Sequence, residues 1–311
     1  MYNNKRIWFV ALGLFLFGGT VLVERFASGQ TSQLAFKAVE SQKPAGSENL
    51  MPLPIALKTV AAENGRLENS LIWTLGGKEQ RGWYLYAPLI QRLLGTEHEV
   101  DSSEFALSLA FWQQQKGFAP SGTLDEETLN HIIETWQKQR IANKEVAAPE
   151  KLFDAPITDF YDPTRDAKML KVERETYLAY KRMIAEAIKD PALNLKTTAT
   201  GELAADEKRL KIISAFRSPE YQEKLRKASP NSSRTALALF SAHFTGRALD
   251  LYVGGEPVTT KDANRAVQVN TPVYKWLVKN ADRFGFYPYY YEPWHWEYAP
   301  ENIKTVDTQS H

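Results

Sequence analysis

The chain has 311 residues, of which 43% are hydrophobic and 24% charged, with a formal net charge of +1. That length suggests two domains, and the near-neutral balance with no dense basic stripe gives no reason to expect a nucleic-acid partner. There is no cysteine, which excludes disulfides, cysteine-based metal sites, a cysteine nucleophile and an acylated-cysteine lipid anchor.

At the start of the chain, Lys5 and Arg6 precede an uncharged run from Ile7 to Val23. As a helix this run would measure roughly 25 Å, a little less than the ~30 Å hydrocarbon core of a bilayer. A cleaved signal needs small residues after the run, but Glu24 and Arg25 stand there. Residues 1–26 are therefore expected to be an uncleaved membrane anchor rather than a signal peptide. The basic flank puts the rest of the chain on the periplasmic side, in the cell envelope. Residues 27–60 are rich in Ser, Gln, Gly and Pro without a sustained period and read as a linker.

Residues 61–145 read as a small all-α domain. "YLYAPLIQRLLG" has helical apolar spacing and ends at Gly95, a C-terminal cap. Asp101 and Glu104 have capping-box spacing at the head of "DSSEFALSLAFWQQQKG", where Phe105, Leu109 and Trp112 share a face and Gly117 closes the helix. After a turn at Gly122, Asp125 can cap the next helix, with Leu124 stapled to Leu129. The pattern Phe105, Leu109, Trp112, Gln113, Gly117, Gly122, Leu124, Asp125, Thr128, Leu129 resembles the three-helix peptidoglycan-binding domain found beside many wall hydrolases. That resemblance implies wall targeting. The other reading is a helical spacer, because these are mostly core and cap positions and a fold does not fix a ligand.

A second linker begins near Ala142, and residues 146–311 read as the larger domain. "VERETYLAYKRMIAEAIKD" is a helix stopped by Pro191, "LKIISAF" a strand, "SPEYQEKLRKA" a short helix and "RALDLYV" a second strand. Thr271 caps a helix with Pro272 at its first position, and "YPYYYEPWHWEY" suggests strands around a turn near Pro293. Strands and helices do not alternate as βαβ units, so the expected class is α+β with an antiparallel sheet.

Two stretches carry chemistry. In "SAHFTGRALDLY", His243 and Asp250 flank a turn at Gly246, and Asp250 stands in an apolar strand where an unpaired carboxylate is costly. In "YEPWHWEY", Glu292 lies three residues before His295. Two imidazoles and a carboxylate make a three-ligand zinc site with a position left open, and Glu292 is then an acid spared from the metal and able to take a proton from water. The competing reading has two ordinary buried histidines, with Asp250 paired to Arg217 or Arg247.

The segment Ser241-Ala-His243-Phe-Thr-Gly246-Arg-Ala248-Leu-Asp250 matches the S-x-H-x-x-G-x-A-x-D pattern of the zinc D-alanyl-D-alanine carboxypeptidases of the VanY type. Glu292-Pro-Trp-His295 matches their E-x-x-H, and "SAFRSPEYQ" resembles their strand-end arginine segment, with Phe216 where a tyrosine is usual. The resemblance implies that His243, Asp250 and His295 bind zinc and that Glu292 is the general base. It implies that Arg217 stabilises the transition state or grips a substrate carboxylate, with Gln222 and Ser241 as further substrate contacts. The implied substrate is the peptidoglycan stem peptide, cut at its terminal D-Ala-D-Ala bond. Alternatives on the same polymer are an L,D-carboxypeptidase, a D,D-dipeptidase or a D,D-endopeptidase. From another class comes a non-catalytic wall-binding protein with a structural zinc.

Overall fold

The computed structural model describes residues 53–228 and 241–302. The expected anchor at 1–26, and the linker as far as residue 52, lie outside the described residues. No helix among the described residues is long and apolar enough to cross a membrane.

Helix α1, Leu53–Ser70, begins inside the stretch expected to be linker. Leu57, Val60, Ala61, Asn64 and Leu67 recur at helical spacing, and the last three of them are buried. This face packs on α3, Ser103–Gln115. Pro54 falls in the first turn, where its missing N–H costs nothing.

The expectation of an all-α region fails between α1 and the next helix. β1, Ile72–Leu75, and β2, Lys78–Arg81, form an antiparallel hairpin. Its two-residue turn is Gly76-Gly77, with φ of 57° and 77°. A tight turn with two positive φ angles matches the right-handed strand twist, and glycine adopts it without strain. Trp73 faces inward and donates its indole N–H to the Gly82 carbonyl at 2.9 Å.

Helix α2, Ala87–Leu94, ends at Gly95 as expected, with φ 65°. The N-cap of α3 is Ser102, whose hydroxyl accepts from the Phe105 amide at 3.1 Å, so the cap lies one residue beyond Asp101. Phe105, Leu109 and Trp112 line its buried face. Helix α4, Glu126–Lys138, is capped by Asp125, which accepts from the Thr128 amide at 2.8 Å.

In the C-terminal half, β3, Leu152–Asp154, pairs antiparallel with β4, Lys171–Glu173. Helix α5, Arg174–Ala187, follows directly and stops short of Pro191. The main sheet has the order β5-β6-β8-β7 and is antiparallel throughout. Its strands are β5, Ile212–Ser214, β6, Ala248–Leu251, β7, Phe286–Pro288, and β8, His295–Tyr298. Helix α6, Pro219–Ala228, leaves the end of β5. Helix α7, Asp262–Val269, was not anticipated, because its buried face carries Arg265 and Gln268 and so lacks an apolar stripe. Helix α8, Pro272–Asn280, is capped by Thr271 as expected. The class is α+β. One apolar core runs from Trp73 in the hairpin to Tyr298 in β8, and α2 packs on α8.

Candidate metal centre

The two central strands set the site. In the β6–β8 register Asp250 stands opposite His295. His243 arrives from a single 3-10 turn, Ala242–Thr245, which Gly246 ends at φ 67°. A Cβ on Gly246 would meet the Glu173 amide nitrogen at 2.9 Å, so the chain turns there only by staying close to β4.

These elements bring the three side chains together in a dry place, with His243, Asp250 and His295 each at most 4% exposed. His243 Nε2 lies 3.2 Å from Asp250 Oδ1, and His295 Nδ1 lies 2.9 Å from the same oxygen. The two rings meet edge to face at 4.9 Å. Their three ligand atoms all lie within 4.8 Å of one another.

The outer nitrogens select which lone pairs point inward. His243 Nδ1 is 2.6 Å from the Ala215 carbonyl, which only accepts, so Nδ1 carries the proton and Nε2 is the free donor atom. His295 Nε2 is 3.2 Å from Glu297 Oε1 and donates to it, which leaves Nδ1 as the ligand atom. Two imidazole nitrogens and one carboxylate oxygen, each aimed and supported, fit a divalent transition metal.

The charges are strongly coupled. Burial raises the Asp250 carboxyl, but the charges of His243 and Arg217 outweigh it and hold the group well below the usual range. Burial, helped by the Arg217 charge, lowers His243 to about 4. Burial also disfavours a charged His295, yet its bonds to Asp250 and Glu297 win and raise it to about 9. A cation is thus favoured between these rings, whether proton or metal, and a metal must displace the proton on Nδ1.

Glu292 occupies the turn between β7 and β8. Its amide donates to the Tyr289 carbonyl at 3.0 Å, and its carbonyl accepts from the His295 amide at 2.9 Å. Its carboxyl is buried and raised to about 7, chiefly by that burial, against the pull of His295. It is the one acid of the group whose environment pushes it toward physiological pH.

Arg217, Gln222 and Ser241 have local partners. Arg217 donates to Asp250 Oδ2 at 2.5 Å and to Ser214 Oγ at 2.9 Å. Asp250 therefore satisfies both readings left open for it, facing two imidazoles with one oxygen and Arg217 with the other. Arg247 turns away, to the Tyr298 carbonyl and Glu301. Ser241 caps the turn that carries His243, accepting from its amide at 3.3 Å. Gln222, on α6, lines a cleft of about 720 Å³ with Phe244, Arg226 and residues 142–146. Trp294 and Trp296 are both core, the latter donating to the Pro293 carbonyl.

Sequence reasoning passed over Glu297 and Arg140. Burial raises the Glu297 carboxyl, but its bond with His295 and the nearby Arg140 charge bring it to about 2. A signal existed: residues two apart on a strand share a face, so Glu297 had to lie beside His295. No curated protein matches the chain. Residues 170–301 match the family model VanY, D-alanyl-D-alanine carboxypeptidase. That span contains all five residues His243, Asp250, His295, Glu292 and Arg217, and the match supports a peptidase of the VanY type.

Proposed function

We propose that the protein is a zinc-dependent D,D-carboxypeptidase that removes the terminal D-alanine of peptidoglycan stem peptides. The observation that carries this reading is a buried donor set of His243 Nε2, Asp250 Oδ1 and His295 Nδ1, with an uncommitted glutamate beside it. Zinc bound there would supply a Lewis acid that polarises the scissile carbonyl and acidifies water. Glu292 takes the proton of the attacking water and hands it to the leaving amine. Arg217, held against Asp250 by one arm of its fork, adds positive charge for the developing oxyanion or for the substrate's terminal carboxylate. Gln222 and Ser241 are the further substrate contacts in this reading. A structural zinc would be closed by four protein ligands, whereas this cluster groups three.

The rest of the chain fits a wall enzyme. The likeness of residues 61–145 to a peptidoglycan-binding unit supports wall targeting. The basic flank and apolar run at 1–26 support anchoring on the periplasmic side of a membrane. The test is incubation of the zinc-loaded protein with a pentapeptide ending in D-Ala-D-Ala and with its C-terminal amide, read by mass spectrometry. Release of one alanine from the acid, with strong loss of rate on the amide, is expected. Equal cleavage of the amide, or cleavage of cross-linked dimers without free alanine, would replace this reading by the endopeptidase.

A further inference from the structure

The segment that follows α4 runs from the end of the expected helical region into the stretch read as a linker from Ala142, and it touches the supports of both histidines. Arg140 donates through Nε, at 3.0 Å, and through Nη2 to Glu297 Oε1. This is the oxygen that receives His295 Nε2. The next residue, Ile141, donates its amide to the other carboxylate oxygen at 2.8 Å. The guanidinium carbon lies over the Tyr289 ring, 3.6 Å from its centre, a cation–π contact that helps hold the side chain in place. On the His243 side, the Ile141 side chain packs with Ala242 and Ala248, and the Ala147 amide donates to the Phe244 carbonyl at 2.8 Å.

We infer that Arg140 is a positioning residue for the metal centre: it fixes the Glu297 carboxylate, which in turn aims His295 Nδ1 at the metal. This rests on the metal reading of His243, Asp250 and His295. Glu297 has four donors on two oxygens, and three of them come from outside its own strand: two from Arg140 and one from Ile141. Without the arginine, the oxygen facing His295 keeps only the imidazole bond, and the Ile141 amide alone holds the other oxygen. One backbone bond leaves the carboxylate more room to pivot, so the orientation of the ring is less firmly dictated from behind. A lysine at this position would return the charge but not the two-pronged, ring-stacked grip.

The test uses the full chain and zinc itself, measured by competition with a chromophoric chelator, with apo-protein thermal unfolding alongside. Partners of this kind typically contribute about 10–100-fold in metal affinity. Arg140→Met is expected to weaken zinc by that factor and to alter the visible spectrum of the cobalt-substituted protein. Arg140→Lys should fall between parent and Arg140→Met while unfolding within a few degrees of the parent. In a double-mutant cycle, Arg140→Met on a Glu297→Gln background should cost little more, because the two act as one unit. Zinc affinity within about twofold of the parent in a folded Arg140→Met protein would overturn the inference. So would losses that add fully across the cycle. Where Arg140→Met does not fold, the lysine variant decides by the same affinity criterion. A parent that binds no zinc would overturn the metal reading, and this inference with it, a result distinct from a variant that binds as well as the parent.

Discussion

The helical region and the peptidase region both bury polar side chains, but of opposite kinds. Beneath the loop between α3 and α4 lie two neutral amides. Asn64 donates to the Gly122 carbonyl and accepts from the Leu124 amide, at 2.8 and 2.9 Å. Gln113 accepts from the Gly122 amide at 2.8 Å and donates to the Thr123 carbonyl and the Thr128 hydroxyl. Each amide clamps backbone that would otherwise be unpaired, and nothing there titrates. Between β6 and β8 the buried groups are ionisable and share partners unequally. One carboxylate is pressed low, one imidazole is raised to about 9, and Glu292 is pushed up to about 7. Neutral, fully matched burial is structural. Ionisable burial whose charges are balanced only by each other is costly for folding, and its presence marks a site of chemistry.

The ionisable network depends most heavily on Asp250. Asp250→Asn removes the one charge that both imidazoles and Arg217 share, so stoichiometric zinc and turnover are both expected to vanish. Metal analysis of the purified variant checks this, and one zinc per chain in it would withdraw Asp250 as a ligand. Glu292→Gln sharpens the contrast from the other side. It leaves every proposed ligand in place but deletes the group suited to move a proton. Zinc content and apo unfolding should match the parent while kcat falls about 10²–10⁴-fold. Near-parent turnover would show that some other group takes the proton.

What the sequence revealed followed the range of each interaction. The caps at Asp125 and Thr271, the stop at Gly95 and the turn at Gly246 depend on residues a few positions apart, so they could be read directly. The grouping of His243, Asp250 and His295 was legible because two histidines and an acid at such spacings, one of them in an apolar strand, form a restricted pattern. The Gly76-Gly77 hairpin also had a local signal, obscured by the helical periods on either side. The start of α1 was lost because its apolar face was cut at an assumed linker boundary. Arg140 and Glu297 are 157 positions apart, and nothing near either one names the other. That pairing exists only once β8 is placed beside the segment leaving α4. The buried polar face of α7 failed for a related reason: Arg265 looks like a surface residue until its partners Asp262 and the Tyr291 carbonyl are in place.

The smallest expected effect isolates the structural half of the comparison. Gly117 and Gly122 both hold positive φ, at 80° and 71°. An alanine at either pays the left-handed strain of roughly 1–2 kcal/mol. Their surroundings differ. A Cβ on Gly117 would meet nothing within 4 Å, whereas one on Gly122 would lie 2.7 Å from the Ala106 carbonyl oxygen. That oxygen belongs to the α3 backbone and cannot swing aside, so the loop must move, and moving it loosens the bonds from Asn64 and Gln113. Gly122→Ala should therefore destabilise the protein by about 1–3 kcal/mol more than Gly117→Ala, as the loss of a buried hydrogen-bond network implies. Zinc affinity should be unchanged in both, because neither glycine touches the metal centre or its supports. Urea unfolding followed by tryptophan fluorescence gives the stability difference, and chelator competition gives the affinity. Equal destabilisation by the two alanines would mean that the amide clamp yields without cost. A zinc affinity that fell with Gly122→Ala would mean that the neutral and ionisable networks are coupled, and the division drawn between the two regions would have to be given up.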